Sequence, residues 1–349
     1  MPSTQRKSLW LIVVLALAVL AWLLHSRISF DWGALGRQLR SVSIGHVLVG
    51  VALLYFGYWL RAWRWAVLLT PVRRVRTIEL LAPQLIGFTA VMLIGRIADL
   101  TRPYLIARRL GLPVATQLAV YSVERAFDLG AAAILFSLTL AAAPQNLPHH
   151  ALYVRAGAIF LALTLVIVVF AVSLRFAGAR VAGIVRRLLT PLSANFASRV
   201  DDRIHDFCEG LHTLSTLREF FTSFAISMLM WLCIALGYMQ SAHSFTTEPT
   251  LAHFSFTATM LVVAASLSGS LLQLPVLGWF TQIGVIATAL HGFFNVPWET
   301  ATACATVMLF VLNLDILPAG LIAARLQGTT LRQAVNESSK IEDVSPSQV

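Results

Sequence analysis

Eight ionisable residues stand in or beside apolar stretches of this chain, where a charge is costly and by default signals function. Arg61 and Arg64 are three apart in Trp59-Leu-Arg-Ala-Trp-Arg-Trp65 and share one helix face. Two planar donor forks on one face suit an anion. They equally suit snorkelling within an aromatic belt, since Arg64 is about 10 Å from Pro71 along a helix. Gly95-Arg96-Ile-Ala-Asp99-Leu-Thr-Arg102-Pro103 reads as a turn, with glycine permitting the reversal and Pro103 opening the returning helix at its first position. A helix N-terminus with Arg96 and Arg102 beside it suits a phosphate or carboxylate. Asp99 pairing with one of these Arg to neutralise the turn is the plainer account. Glu124-Arg125-Ala-Phe-Asp128 puts two carboxylates one helical turn apart with a guanidinium beside them. These three should pair inside a helix bundle, with Arg96 or Arg102 as partners, as a structural ion network or as a polar path. Paired acids also suit proton coupling.

The elements that position these groups are apolar. Of 349 residues 58% are hydrophobic and 12% charged, against about 25% charged in an ordinary globular chain. Apolar segments fall near residues 9–25, 46–70, 80–97, 118–143, 152–174, 219–241, 253–274, 276–292 and 300–324. Their lengths suit crossings of a bilayer, which needs about 20 residues. The fold class is all-α, a polytopic helical membrane protein. A single membrane domain is expected over residues 1–325, with a polar, disordered cytoplasmic tail over 326–349. The net charge of +10 comes from 24 Arg with Lys7 and Lys340. GC-rich codon usage explains that Arg bias as well as anion contact does.

Loop charges give an orientation. The N-terminus, residues 71–79, 101–117, 175–218 and the C-terminal end hold 18 Lys and Arg, while Arg27, Arg37, Arg40 and Arg155 fall on the other side. By the positive-inside rule the first group and both termini are cytoplasmic; the three Arg between residues 26 and 45 run against it. Residues 80–110 must then enter and return, as must residues 253–292 from the opposite side. Span, hairpin, span therefore repeats with inverted sense: two re-entrant or short-helix hairpins, a device that places irregular backbone around a midplane site. Gly111-Leu-Pro113 and Asn295-Val-Pro297 close the two hairpins alike.

Between Arg180 and Leu214 apolar residues recur at helical spacing among Arg186, Arg187, Arg199 and Arg203, as in a helix lying in the cytoplasmic interface (residues 175–218). The second hairpin carries uncharged polar groups, among them Ser266, Gln273 and Gln282, that could satisfy a broken backbone. Cys208, Cys233 and Cys304 lack metal or disulfide spacing. No nucleotide loop, nucleophile elbow or metal motif is present, so neither cofactor nor metal is expected, and charge spread along membrane flanks excludes nucleic acid as a partner.

The chain resembles the flippase-like transmembrane region of lysylphosphatidylglycerol synthases, in its stand-alone form, over roughly residues 40–325. Arg61 to Trp65, the Gly95-Arg-x-x-Asp-x-x-Arg102 turn with Tyr104-Leu-Ile, Glu124-Arg125-x-x-Asp128 and the Pro275 to Gly292 hairpin carry the resemblance. Where the family commonly has Gly-Glu in the first turn this chain has Ala98-Asp99, and where it has Gly-Gly and a following Glu later, this chain has Val276-Leu277-Gly278 and Thr281-Gln282. The resemblance implies movement of a lipid, or a lipid-linked anionic headgroup, between leaflets of the cell inner membrane. Arg61, Arg64, Arg96 and Arg102 would hold the headgroup, and Asp99, Glu124, Arg125 and Asp128 would form the counter-charge network. The synthases' soluble domain is absent here, so no lipid aminoacylation, and no enzyme activity, is expected. The competing readings are a secondary transporter of a small anion and a non-transporting partner of a membrane glycosyltransferase or synthase.

Overall fold

The computed structural model describes residues 30–95, 98–141, most of 150–166, 216–269 and 277–328. The apolar segment at 9–25, almost all of the interfacial helix at 175–218, Arg96, Cys208, Gln273 and the tail beyond residue 328 lie outside the described residues. Within them the chain is helical, without strands: α1 (Trp32–Arg40), α2 (Ile44–Leu69), α3 (Thr77–Ile94), α4 (Thr101–Leu110), α5 (Val114–Ala141), α6 (Leu217–His243), α7 (Phe256–Gly269), α8 (Leu277–Phe294), α9 (Trp298–Leu309) and α10 (Ile316–Leu326). Among the described residues four helices are long and apolar enough to cross a membrane: α2, α3, α6 and the continuous run from α9 through α10. The 28-residue α5 is as long but carries Glu124, Arg125 and Asp128 in its middle.

Local signals set the ends of these elements. Thr216 and Glu219 form a reciprocal capping box at the start of α6, each side-chain oxygen accepting from the other's backbone N–H. Asp31 caps α1, and its bond from the Ala34 amide holds its carboxyl below the ordinary range. Arg37, one of the cations on the unexpected side, pairs with that same Asp31 at 3.3 Å. The first hairpin turns at Gly95, whose φ of 92° would strain any side-chain-bearing residue. Thr101 rather than Pro103 opens α4; Pro103 stands third, still in the first turn, where helix N–H groups have no intrahelical acceptor.

Both hairpins expected from the loop charges are present as helix pairs, α3–α4 and α7–α8. The two halves pack reciprocally: α3 lies against α10 as α7 lies against α5, α2 packs on α3 as α6 does on α7, and α4 on α5 as α8 on α9. The equivalent spans α2 and α6 face each other and run antiparallel. The Ser43 amide donates to the Ser244 carbonyl at 2.8 Å, His46 meets Gln240 at 2.7 Å, and Arg64 reaches Ser227 at the other end. An antiparallel pairing of equivalent spans is what an inverted repeat produces. The closing turns agree in backbone as well: Gly111 (φ 64°) and Asn295 (φ 54°) are both left-handed, each followed by an apolar residue, a proline and a new helix.

The loops group into two ends as the charge count requires. Asp31 donates its N–H to Glu299 at one end, while Arg73 donates to the Leu110 carbonyl at the other. The last span is less regular than its apolar run suggests, because a π-helical turn, Phe310–Leu314, separates α9 from α10. Pro318 supplies a reason: with no N–H it leaves a carbonyl in the preceding turn without its helical donor, and the ladder widens.

Candidate functional site

The charges singled out by spacing converge where α2, α4, α5 and α6 meet. Arg64, fully buried on α2, donates to Asp128 at 2.6 Å, to Glu124 at 2.7 Å and to Ser227 of α6 at 2.6 Å. Arg102, in the first turn of α4, donates to both oxygens of Glu124, at 3.2 and 2.5 Å, and to Gln84 of α3 at 3.1 Å. Its guanidinium also lies within 4.8–5.2 Å of the ring centres of Phe88, Trp65 and Tyr121, contacts of cation–π type. Trp65 is held in turn by Gln117, which accepts its indole N–H at 2.9 Å.

The i,i+4 pair on α5 is therefore one acceptor surface. Asp128 also takes Arg125 at 3.0 Å and Arg61 at 3.5 Å, and Glu124 has Arg125 at 3.7 Å. Asp99 lies close enough to act electrostatically on Arg125 and Tyr121. Four guanidiniums face Glu124, Asp128 and the nearby Asp99, leaving the described cluster with an excess of one positive charge.

Exposure divides the cluster. Arg64, Arg102 and Glu124 are sealed in, with terminal guanidinium nitrogens of both arginines engaged by the Glu124 oxygens. The side chain of Arg61 is 15% exposed and that of Arg125 41%, so these two can meet something from outside. Neither snorkelling nor a lipid-facing position describes Arg64. Asp99 has a partner of its own, and Arg96 lies outside the described residues.

The tight approach of α3 to α4 makes this arrangement possible. A Cβ on Gly87 would sit 2.6 Å from Cβ of Arg102 and 3.0 Å from its Cα, so only glycine lets the Arg102 backbone come this near. Gly87→Ala is expected to destabilise the fold by about 1–3 kcal/mol, the range of an overpacked core, and to shift Arg102 off Gln84. Thermal unfolding in detergent measures the first effect; an unchanged midpoint would show that the helices separate freely.

Arg61 also lines a cavity of about 320 Å³ bounded by α2, α3, α6, α7, α8 and the π turn. It thus lies between the two halves, where repeat-built membrane proteins place ligands. Its wall is largely apolar, with Leu54, Phe88, Met230, Trp231, Val263 and Leu312 among the lining. The polar members besides Arg61 are uncharged. Tyr238 and Ser266 are hydrogen-bonded at 2.6 Å, Gln282 donates to Ser266 at 2.7 Å, and Asn313 reaches Gln282 at 3.5 Å. The second hairpin thus contributes neutral hydrogen-bonding groups opposite Arg61. His291 stacks on Trp298 at 4.3 Å and stands beside the Val296 carbonyl, consistent with a packing role. Among the described residues no group of three His, Cys, Asp or Glu could hold a metal.

Sequence comparison supplies the family. The lysylphosphatidylglycerol synthase TM region matches residues 9–322, nearly the whole chain. The chain belongs to that family. No curated protein matches it. Membership of the lysylphosphatidylglycerol synthase TM region family makes this an integral membrane protein with a lipid-related role. The matched region is the membrane part of synthase-like proteins rather than their catalytic part. Of the residues that carried the resemblance, Arg61, Arg64, Arg102, Glu124, Arg125 and Asp128 are gathered in the ion cluster.

Proposed function

We propose that this protein moves an anionic lipid, or a lipid-linked anionic headgroup, between the leaflets of the cell inner membrane, with both termini cytoplasmic. The observation that carries this reading is the cavity between the halves, apolar along most of its wall and met by Arg61 at one margin. An amphiphile with an acidic head and an oily body fits that distribution better than a small hydrophilic anion, which would gain little from the apolar lining. In this reading Arg61 and Arg125 contact the headgroup. Arg64, Arg102, Glu124 and Asp128 act behind them as the frame that fixes their positions, with Asp99 at the approach.

The test is headgroup accessibility. Purified protein in liposomes containing a fluorescent phosphatidylglycerol is exposed to a membrane-impermeant quencher, alongside a panel of zwitterionic and cationic lipids. Quenching beyond the outer-leaflet fraction is expected for the anionic lipid. Arg61→Gln is expected to slow exchange about tenfold or more, roughly 1.4 kcal/mol of lost headgroup contact. The fold should survive, because Asp128 keeps Arg64 and Arg125. Wild-type exchange in a correctly inserted Arg61→Gln protein would remove Arg61 from the headgroup site.

A further inference from the structure

Asp315 takes no part in the ion cluster, yet it is the acid most isolated from donors among the described residues of the spans. It is 6% exposed and is the eighteenth residue of a 29-residue apolar run, near the middle of the span. Neither of its carboxyl oxygens has a hydrogen-bond partner among the described residues. Buried polar groups are paired in the great majority of cases, and an unpaired one asks for an explanation.

Its backbone, by contrast, is anchored from two sides. The Asp315 N–H closes the π turn on the Phe310 carbonyl at 3.0 Å, and its own carbonyl accepts from Tyr55 at 2.9 Å. Thr89 of α3 donates to the next carbonyl, Ile316, at 3.3 Å. The side chain is thus held in place beside the Tyr58 hydroxyl and the Ile316 N–H, neither of which completes a hydrogen bond to it. π turns inside α-helices are frequent at functional sites. The residues on either side, Asn313 and Ile316, line the cavity, as does Tyr58, which faces the carboxyl from α2.

Among the described residues the titratable groups facing Asp315 are Tyr58 and Tyr55, both on α2. α3 turns a hydroxyl to the neighbouring carbonyl, and Arg61, the next side chain along this face of α2, is directed to Asp128. A charge without a counter-ion in a membrane interior is expensive, whereas the carboxylic acid is not.

We propose that Asp315 is a proton-binding site inside the membrane whose occupancy is linked to that of the cavity. This rests on the reading of the cavity as an anionic headgroup site. A negative headgroup arriving beside Arg61 and Tyr58 favours the neutral acid at Asp315 over the carboxylate, so binding takes up a proton from solvent. Departure of the headgroup releases that proton. Anion and proton then occupy the site together, and a pH gradient across the membrane can bias the direction of lipid movement.

Three measurements on the full-length protein in detergent decide this. Infrared difference spectroscopy should show a protonated-carboxyl band that Asp315→Asn removes. Titration with short-chain phosphatidylglycerol in weakly buffered solution should show proton uptake in the wild type and none in Asp315→Asn, with wild-type affinity falling as pH rises and the variant's flat. Should the variant fold poorly, dicyclohexylcarbodiimide labelling of the wild type, mapped by mass spectrometry, is expected at Asp315 and should weaken as pH rises. Absence of both the band and the labelling overturns the proton site, and lipid binding without proton uptake overturns the linkage. A protein that carries the band but binds no phosphatidylglycerol overturns the headgroup reading and the linkage, leaving the proton site.

Discussion

Replacing Arg64 by methionine is expected to cost about 3–5 kcal/mol of stability, the range found when one member of a buried ion network is removed. Methionine preserves much of the volume, so the loss is electrostatic. Glu124, Asp128 and the Ser227 hydroxyl each lose a donor within 2.7 Å, in a site sealed from water. Poor membrane yield and a strongly lowered unfolding midpoint in detergent are the expected readouts. Arg64→Lys should recover part of the loss, because an ammonium supplies charge but cannot reach three acceptors on two helices with a planar fork. A folded, fully stable Arg64→Met protein would mean that the network is held from elsewhere. The contrast with Arg61→Gln, which should leave the fold standing, separates the frame from the contact residue.

Glu124→Ala is the second large effect. This carboxylate accepts from Arg64 on one oxygen and from Arg102 chiefly on the other, so its removal leaves two buried guanidiniums with less counter-charge. A loss of about 3–5 kcal/mol is expected here too. The informative experiment is the double substitution. Arg102→Met with Glu124→Met should cost less than the sum of the two single changes by about 0.5–3 kcal/mol, the coupling typical of residues in one network. Strict additivity would show that the 2.5 Å contact contributes nothing. The three aromatic rings around Arg102 limit the single Arg102→Met loss, since they continue to pack around the apolar chain, whereas the buried Gln84 loses its donor and adds to it.

Much of the architecture was legible in the residues. Length and hydropathy located the described spans to within a few positions, because about 20 apolar residues leave few alternatives to crossing a bilayer. Lys and Arg in the loops implied both hairpins, and the turns at Gly111 and Asn295 share the conformation that their similar sequences suggested. The pairing of Glu124 with Arg102 followed from the need of intramembrane charges for partners. Arg64, which bridges both α5 acids, was harder to find, since spacing along one helix says which residues share a face but not which helix meets that face. Ser227, Gln84 and Gln117 gave no signal at all, being single polar residues of kinds common in membrane helices. Asp315 was overlooked although an acid three residues before a proline in an apolar run is a recognisable irregularity.

The length of α4 bears on the work required of any polar cargo. At 10 residues it covers about 15 Å, half of a hydrocarbon layer about 30 Å thick. In the proposed re-entrant arrangement, with Leu110 at the membrane surface, the turn that carries Ala98 and Asp99 would reach about halfway into the slab, bringing polar backbone with it. For an ion, the dominant obstacle is the thickness of low-dielectric material that must be traversed without compensating dipoles. A half-length helix thins that insulating layer locally. Under the proposed function, the electrical barrier would be lowered by geometry before any side chain had touched the passenger.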